Sequence, residues 1–199
     1  MNRIEDSDRY SPEAIERAYA AIPERNTGDA LLRTTQQHHV ALSTMADTKA
    51  NILITVSSIV LTMILGKMND PSLRAAMLTL AGFVLVALLL AVIAVLPKYR
   101  PLRLKPGAEL PPHFNVLFFG HFAELSRERF LVEISDNLKV DGSVYETMAR
   151  DIYAIGYYLA HYKYRFLRLS YLFFLGGFVC ACLVEAAHLL ASGLLTPTI

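Results

Sequence analysis

The sequence predicts an all-α membrane protein with three transmembrane helices and a small, mainly helical cytoplasmic domain. Its 199 residues are 54% hydrophobic, with a mean hydropathy of +0.36, which is more apolar than an ordinary soluble chain. The apolar residues are concentrated in three blocks, as membrane spans require. These blocks predict spans at residues 50–66, 75–96 and 169–190, and cytoplasmic regions at residues 1–49 and 97–168.

The first block, Ala50 to Gly66, has 17 residues without a charge between Lys49 and Lys67. It covers about 25 Å as a helix, enough for a hydrocarbon core of about 30 Å if the lysines snorkel. Most of its polar residues share one helix face. This face either bonds neighbouring helices or lines water between several copies, because three spans cannot enclose a pore. The face consists of Asn51, Thr55, Ser58 and Thr62.

The second block, Ala75 to Leu96, holds 22 residues without a charge. Arg74 precedes it, and Lys98 follows it after a proline. Asp70 and Pro71 predict a helix N-cap and a first-turn proline, so the loop between the first two spans should be short.

The third block begins at Leu169, meets Glu185 and continues to Leu190. Glu185 and His188 share a helix face, where they could pair, hold a proton or lie at the outer interface. No metal site is expected there, because the further carboxylates of a di-iron bundle are missing. The two cysteines, Cys180 and Cys182, are expected to pack as small apolar residues.

The distribution of Lys and Arg predicts the topology. Six precede the first span, two lie between the first and second spans, and eleven lie between the second and third. By the positive-inside rule, the N-terminus and residues 97–168 face the cytoplasm and the C-terminus lies outside. The N-terminal region has no apolar stretch typical of a cleaved signal peptide, so the first span should act as the targeting signal.

Local signals predict the helices of the cytoplasmic regions. Ser11 and Pro12 open a helix to about Ile22, and Asp29 caps a helix that has neither Pro nor Gly until Gly66.

The region after the second span begins with a non-helical connector rich in proline, residues 97–112. The apolar run Phe114 to Phe119 is either a strand or a buried turn. Ser126 is expected to cap a helix over residues 127–139, and Asp141 with Gly142 marks the turn that follows.

A second long helix is predicted from the capping box formed by Ser143 and Glu146. An apolar seam with strict three-four spacing follows and enters the third span. Two continuous helices that join a cytoplasmic domain to the membrane are typical of a sensor that transmits a signal to its membrane part. A domain that is merely anchored in the membrane would have the same two helices. The seam consists of Tyr145, Met148, Ile152, Ile155, Leu159, Tyr162, Phe166 and Leu169.

Five short segments, in order along the chain, carry a family resemblance. They are Ala46–Asn51, Asn115–His121, Asp151–Gly156, Lys163–Arg165 and Ser170–Tyr171. Together they resemble the transmembrane effector family of Pycsar antiphage systems, over roughly residues 31–184.

The resemblance implies a bacterial inner-membrane effector that responds to cyclic CMP or cyclic UMP. A separate pyrimidine nucleotide cyclase makes this ligand on infection, and the effector then impairs the membrane, which causes abortive infection. The lipid bilayer and further copies of the chain, as a homo-oligomer, are the other expected partners. No cofactor is expected, and the formal net charge of +1 argues against nucleic acid.

A cyclic mononucleotide presents one phosphate charge and one flat base, so its site needs a cation and a stacking or apolar slot. Residues 97–168 hold eleven cations and thirteen of the twenty Phe and Tyr residues, although core packing accounts for most such aromatics. Arg150 is the phosphate candidate, and His121 either contacts ligand or closes its own turn. The candidate ligand-binding residues are Arg150, His121, Tyr157, His161 and Asn115.

A further group is predicted to couple the sensor to the membrane. Asp47 and Lys49 lie at the cytoplasmic mouth of the first span and could pair with the helix from Asp151 to Arg165. Ordinary interfacial anchoring is the alternative role for these charges.

No catalytic constellation is found. The adjacent His38 and His39 point to different sides of a helix, and no glycine-rich phosphate loop or nucleophile elbow occurs. We therefore expect no enzyme. The alternative function is a small membrane transporter, or a constitutive anchor whose cytoplasmic part recruits a protein partner.

Overall fold

The structure, a computed structural model, describes residues 17, 20, 26–96, 108–139 and 141–195. The predicted all-α fold is confirmed, with no strand among these residues. The predicted Ser11–Ile22 helix lies outside them except for Arg17 and Ala20, which are helical. The helices are α1 (Asn26–Lys67), α2 (Arg74–Val95), α3 (Phe119–Phe122), α4 (Arg127–Leu138), α5 (Asp141–Tyr158), a π-helical turn (Leu159–Lys163) and α6 (Tyr164–Leu195).

Among the described residues, three helical stretches are long and apolar enough to cross a membrane, as predicted. They are Thr27–Lys67, Arg74–Val95 and Gly142–Gly193. Two of them continue far beyond the predicted spans, so the membrane boundaries at residues 50–66 and 169–190 stay predictions.

The described residues form two compact units. The first unit contains residues 26–41, 108–139 and 141–157, and the second contains residues 42–96 and 158–195. The second unit therefore holds the most apolar parts of the three candidate spans.

Small residues on α2 form the packing surface of the second unit. Four of the six buried residues of α2 are alanines, which allow helix backbones to approach closely. The buried Ser170 donates its hydroxyl hydrogen to the carbonyl oxygen of Ala87. A Cβ at Gly177 would lie 2.6 Å from the Cβ of Phe83, so this contact between α6 and α2 requires glycine. The buried residues of α2 are Ala76, Leu80, Val84, Ala87, Ala91 and Ala94.

The π-helical turn changes which residues of the apolar seam face inward. An α-helical continuation would bury Tyr162, but Tyr162 is 44% exposed, whereas Lys163 is 7% exposed. The most buried positions that follow are Leu167 and Ser170 rather than the predicted Phe166 and Leu169. A π-turn accommodates one extra residue, so every later inward position moves one residue along the chain.

Lys163 is a buried cation of the second unit, and side chains of α1 accept its hydrogen bonds. Its Nζ donates to Asp47 Oδ2 and to Ser43 Oγ, each at 2.7 Å. Tyr164 in the same stretch donates its hydroxyl to the carbonyl oxygen of Leu42 at 3.2 Å. A buried ammonium without partners is strongly unfavourable, so these bonds hold the turn against α1.

Three predicted helix starts differ from the structure. The described part of α1 begins at Asn26, so Asp29 lies in its first turn rather than at the N-cap. Asp70 accepts from the backbone and hydroxyl of Ser72 and stabilises a turn, while α2 starts at Arg74. The described part of α5 begins at Asp141, so Ser143 lies inside the helix rather than at its N-cap, and its hydroxyl donates to the carbonyl of Asn137.

Other local predictions are confirmed. Ser126 accepts from the backbone N–H of Arg129 at 3.3 Å and caps α4. The run Phe114 to Phe119 is a turn rather than a strand, with the backbone N–H of Phe118 bonded to the carbonyl of Asn115.

The two partners of the buried ion pair should contribute unequally to stability. Asp47→Ala leaves the buried ammonium of Lys163 without its counter-ion and should cost about 3 kcal/mol. Lys163→Met leaves a carboxylate that is 42% exposed and hydrated, and should cost about 1 kcal/mol. Thermal unfolding in detergent, followed by circular dichroism, measures both.

Asp136→Ala serves as the control, because Asp136 belongs to an exposed pair with Lys139. Its effect should be close to zero. Equal losses for Asp47→Ala and Lys163→Met would show that the pair is not organised around a buried lysine.

Candidate ligand-binding site

A buried carboxylate organises the first unit. Asp151 is 5% exposed. Its Oδ2 accepts from Gln36 Nε2 on α1, and its Oδ1 accepts from Asn115 Nδ2, each at 2.8 Å. Hydrogen bonds from neutral amides stabilise a buried carboxylate without adding a second buried charge. Asp151 therefore joins α1, α5 and the turn that contains Asn115.

The turn at Asn115 is closed by His121. The backbone N–H of Asn115 donates to His121 Nδ1 at 2.9 Å, and Asn115 Oδ1 accepts from the backbone of Leu117 at 2.9 Å. The ring of Phe114 stacks on His121 with a centroid distance of 5.8 Å. Desolvation by burial, with a smaller contribution from His113, lowers the pKa of His121. A neutral ring that accepts at Nδ1 is the form that this turn requires.

Gly156 allows α5 to approach α1. A Cβ at residue 156 would lie 3.1 Å from Cε1 of His39, which is tighter than ordinary van der Waals contact. His39 Nδ1 is buried and has no hydrogen-bond partner among the described residues. The glycine of the Asp151–Gly156 motif thus has a packing role.

A cleft of about 300 Å³ lies beside this network. Its volume is at the lower end of the range for small-molecule pockets. One side is apolar and rich in proline, and the other carries the polar side chains of α4 and α5. The lining residues are Leu110, Pro111, Pro112, Phe114, Asn115, Val116, Glu133, Asn137, Ser143, Glu146, Thr147 and Arg150.

Hydrogen bonds fix the polar wall of the cleft. Thr147 on α5 donates its hydroxyl to Asn137 Oδ1 at 2.8 Å, and Ser143 donates to the carbonyl of Asn137 at 2.6 Å. Asn137 Nδ2 in turn donates to the carbonyl of Glu133 at 2.8 Å within α4. The wall is therefore preorganised rather than assembled from mobile side chains.

Arg150 brings a positive charge to the cleft. Its Nη1 donates to the carbonyl oxygen of Pro112 at 3.2 Å, and its Nη2 bonds to Glu146 Oε1. The Arg150 side chain is 54% exposed, whereas that of Glu146 is 17% exposed. A guanidinium held at an open cleft is suited to bind a phosphate or carboxylate.

The structure separates the predicted ligand-binding residues. Arg150 and Asn115 line the cleft, whereas His121 is not among the lining residues and closes the turn at Asn115. Tyr157 lies on an exposed face of α5 next to Tyr153, with ring centroids 6.0 Å apart. His161 lies in the π-turn and belongs to the second unit.

Four residues of the cleft are not predicted as site residues from the sequence: Glu133, Asn137, Glu146 and Thr147. The S-x-x-E pattern predicts a capping role for Glu146, although its spacing of four residues from Arg150 also indicates an ion pair on one helix face. No sequence pattern indicates that the middle of α4 faces α5.

The residues predicted to couple the sensor to the membrane have different environments in the structure. Asp47 accepts from Lys163, which lies in the predicted partner segment from Asp151 to Arg165. Lys49 is exposed, and its carbonyl accepts from the hydroxyl of Tyr171 at 3.4 Å. Arg165 is exposed, and Asp151 belongs to the network of the first unit.

The polar face of the first span points outward from the single chain. Three of its hydroxyls bond to carbonyl oxygens of their own helix, at 2.9 to 3.0 Å. Ser57, off this face, is completely buried, and its hydroxyl has no partner among the described residues. The outward residues are Asn51, Thr55, Ser58 and Thr62.

In the third span, Glu185 is half-buried and His188 is exposed. Among the residues that the structure describes, no three His, Cys, Asp or Glu side chains converge in a way that could hold a metal ion.

Taken together, the fold and the cleft define an all-α membrane protein with a helical, cleft-bearing unit. The family model for the Pycsar effector protein domain matches residues 30–191, most of the chain. The chain therefore belongs to the Pycsar effector family, and the resemblance noted in the sequence is confirmed. No curated protein and no solved structure matches it. Membership implies a membrane effector of an antiphage system in which a separate cyclase makes a cyclic-nucleotide signal.

The lowered pKa of His121 predicts a dependence of stability on pH. The ordinary value is 6.5, and the folded value lies below it, so the stabilisation is present above about pH 6.5 and lost as pH falls through the folded pKa. Unfolding temperatures should therefore decline from about pH 7 to about pH 5. His121→Asn, which supplies a neutral acceptor near Nδ1, should reduce this decline.

His38→Asn is the matched control, because His38 is exposed on α1. Its unfolding temperatures should follow the wild-type pH profile. A wild-type profile in the His121→Asn variant would contradict a role for His121 in the pH dependence.

Proposed function

We propose that this chain is a cyclic-nucleotide-gated membrane effector. A cyclic pyrimidine mononucleotide, cyclic CMP or cyclic UMP, binds in the cleft of the first unit. Binding changes the membrane helices and impairs the bacterial inner membrane, and the infected cell dies or stops growing. The observation that supports this most directly is Arg150 at the mouth of the cleft, in a chain of the Pycsar effector family.

The dimensions and chemistry of the cleft support a mononucleotide ligand. About 300 Å³ suits one small molecule. The Arg150 guanidinium offers donors to one phosphate charge. Phe114 and the prolines Pro111 and Pro112 supply an apolar wall for a base or ribose. Asn115 also lines the cleft, but its side chain is already bonded to Asp151 and Leu117, so we assign it to the scaffold.

Helix continuity supports transmission from the cleft to the membrane. The helix α1 extends without interruption from Asn26 to Lys67, and its residues belong to both units. A second helical path leads from Asp141 through the π-turn to Leu195. A π-turn is a helical element that often lies at functional sites. The bonds from Lys163 to Asp47 and Ser43 connect the two paths within the second unit.

The outward polar face of the first span supports assembly of several copies. An amide such as that of Asn51 is unfavourable against lipid, so a second copy of the chain or water should cover it. The excess of Lys and Arg in residues 1–49 and 97–168 supports a cytoplasmic location for both regions, and with them for the cleft, where a cyclase product would accumulate.

Calorimetry on the full chain in detergent tests ligand binding. Cyclic CMP or cyclic UMP should bind at micromolar concentration, and Arg150→Ala should weaken binding about tenfold or more, because a charge-assisted bond contributes about 1.5–3 kcal/mol. Cyclic AMP is the control ligand. If neither pyrimidine nucleotide binds, the proposed function fails and a constitutive anchor is favoured.

Dye release from vesicles containing the protein tests the polar face. Thr55→Leu combined with Ser58→Leu should retain nucleotide binding but abolish nucleotide-dependent release, because the face can no longer contact water or another copy. Val56→Leu with Ile59→Leu, at exposed apolar positions of the same helix, should behave like wild type. Full dye release from the first variant would exclude the polar face from the lesion.

A further inference from the structure

The cation of the cleft already has an anionic partner. Arg150 Nη2 bonds to the Glu146 carboxylate one turn earlier on α5, the favourable i, i+4 arrangement for this pair. The two side chains differ in access to solvent, since Glu146 is the more buried and Arg150 the more exposed. An incoming ligand therefore meets the guanidinium first, with the carboxylate behind it.

The charge of the cleft opposes an anionic ligand. Its ionisable lining residues are Glu133, Glu146 and Arg150, two carboxylates and one guanidinium. Glu133 lies 3.9 Å from Arg129, which is not itself part of the lining. A monoanionic phosphate therefore enters a site where Arg150, the one cation of the lining, is already paired with Glu146 of the same helix. Binding requires that the phosphate replace Glu146 as the partner of Arg150.

The guanidinium is positioned for such an exchange. Nη1 is held by the carbonyl oxygen of Pro112 at 3.2 Å, independently of Glu146. The two bonds use two of the five N–H donors of an arginine. Arg150 can thus remain in place while the Glu146 carboxylate rotates away.

We propose that Glu146 is an intramolecular competitor of the ligand phosphate and sets the concentration at which the effector responds. This inference rests on the proposed function, because it concerns the same cleft. The carboxylate occupies Arg150 in the resting protein and excludes small anions. A cyclic mononucleotide displaces it, because apolar contacts with its base and ribose add to the phosphate contact.

The test is calorimetry of cyclic CMP and cyclic UMP binding to the full chain in detergent. Glu146→Gln keeps the shape of the side chain and removes its charge, so it should tighten binding about two- to fivefold, the value of a partly exposed ion pair. Asp136→Asn is the matched control. It removes one carboxylate from an exposed pair on α4 outside the cleft lining, and it should leave the affinity at the wild-type value.

The double variant Glu146→Gln with Arg150→Ala locates the effect. Because Glu146 acts through Arg150, the double variant should bind as weakly as Arg150→Ala alone. If the wild type binds the nucleotide but Glu146→Gln binds it equally or more weakly, the competitor role is overturned and the proposed function still stands. Tightening that persists without Arg150 overturns it too, since it would reflect general charge. Absence of binding by the wild type is instead a failure of the proposed function.

Discussion

Two charges are buried along one helical path, and the packing of both units depends on satisfying them. The carboxylate of Asp151 receives amide hydrogens from Gln36 and Asn115. The ammonium of Lys163, twelve residues later, donates to Ser43 and Asp47. Each charge has at least one partner on α1, so the same long helix satisfies a buried anion in the first unit and a buried cation in the second. Leaving either charge unpaired would cost several kcal/mol.

Much of the fold follows from hydropathy and helix signals. The three apolar blocks, the unbroken α1 and the cap at Ser126 are local features that a sequence displays directly. The π-turn is not of this kind. Leu159 and Tyr162 continue a regular seam, so periodicity predicts an ordinary α-helix there. Burial of Lys163 becomes favourable only because Asp47 and Ser43, far away in the sequence, meet it.

The candidate site also has parts that the sequence predicts and parts that it does not. Arg150 could be proposed from its charge and its place on a helix, but the cleft around it depends on how α4 packs against α5. The sequence segments that resemble the family, Asn115–His121 and Asp151–Gly156, are occupied largely in holding the first unit together. Their side chains close a turn, bond a buried carboxylate and permit close helix approach. In this chain, the segments that resemble the family therefore consist mainly of residues that stabilise the fold, and less of residues that face the cleft.

The π-turn also has a consequence for comparing members of the family. It accommodates one residue more than an α-helix would need to join the same two faces. A relative with a regular helix at this point would carry its inward cation one position earlier. An alignment without a single-residue gap near Ala160 would then match Lys163 to a residue that points outward. Every inward position of α6, including the serine that bonds α2 and the glycine beside Phe83, would be mismatched by the same step.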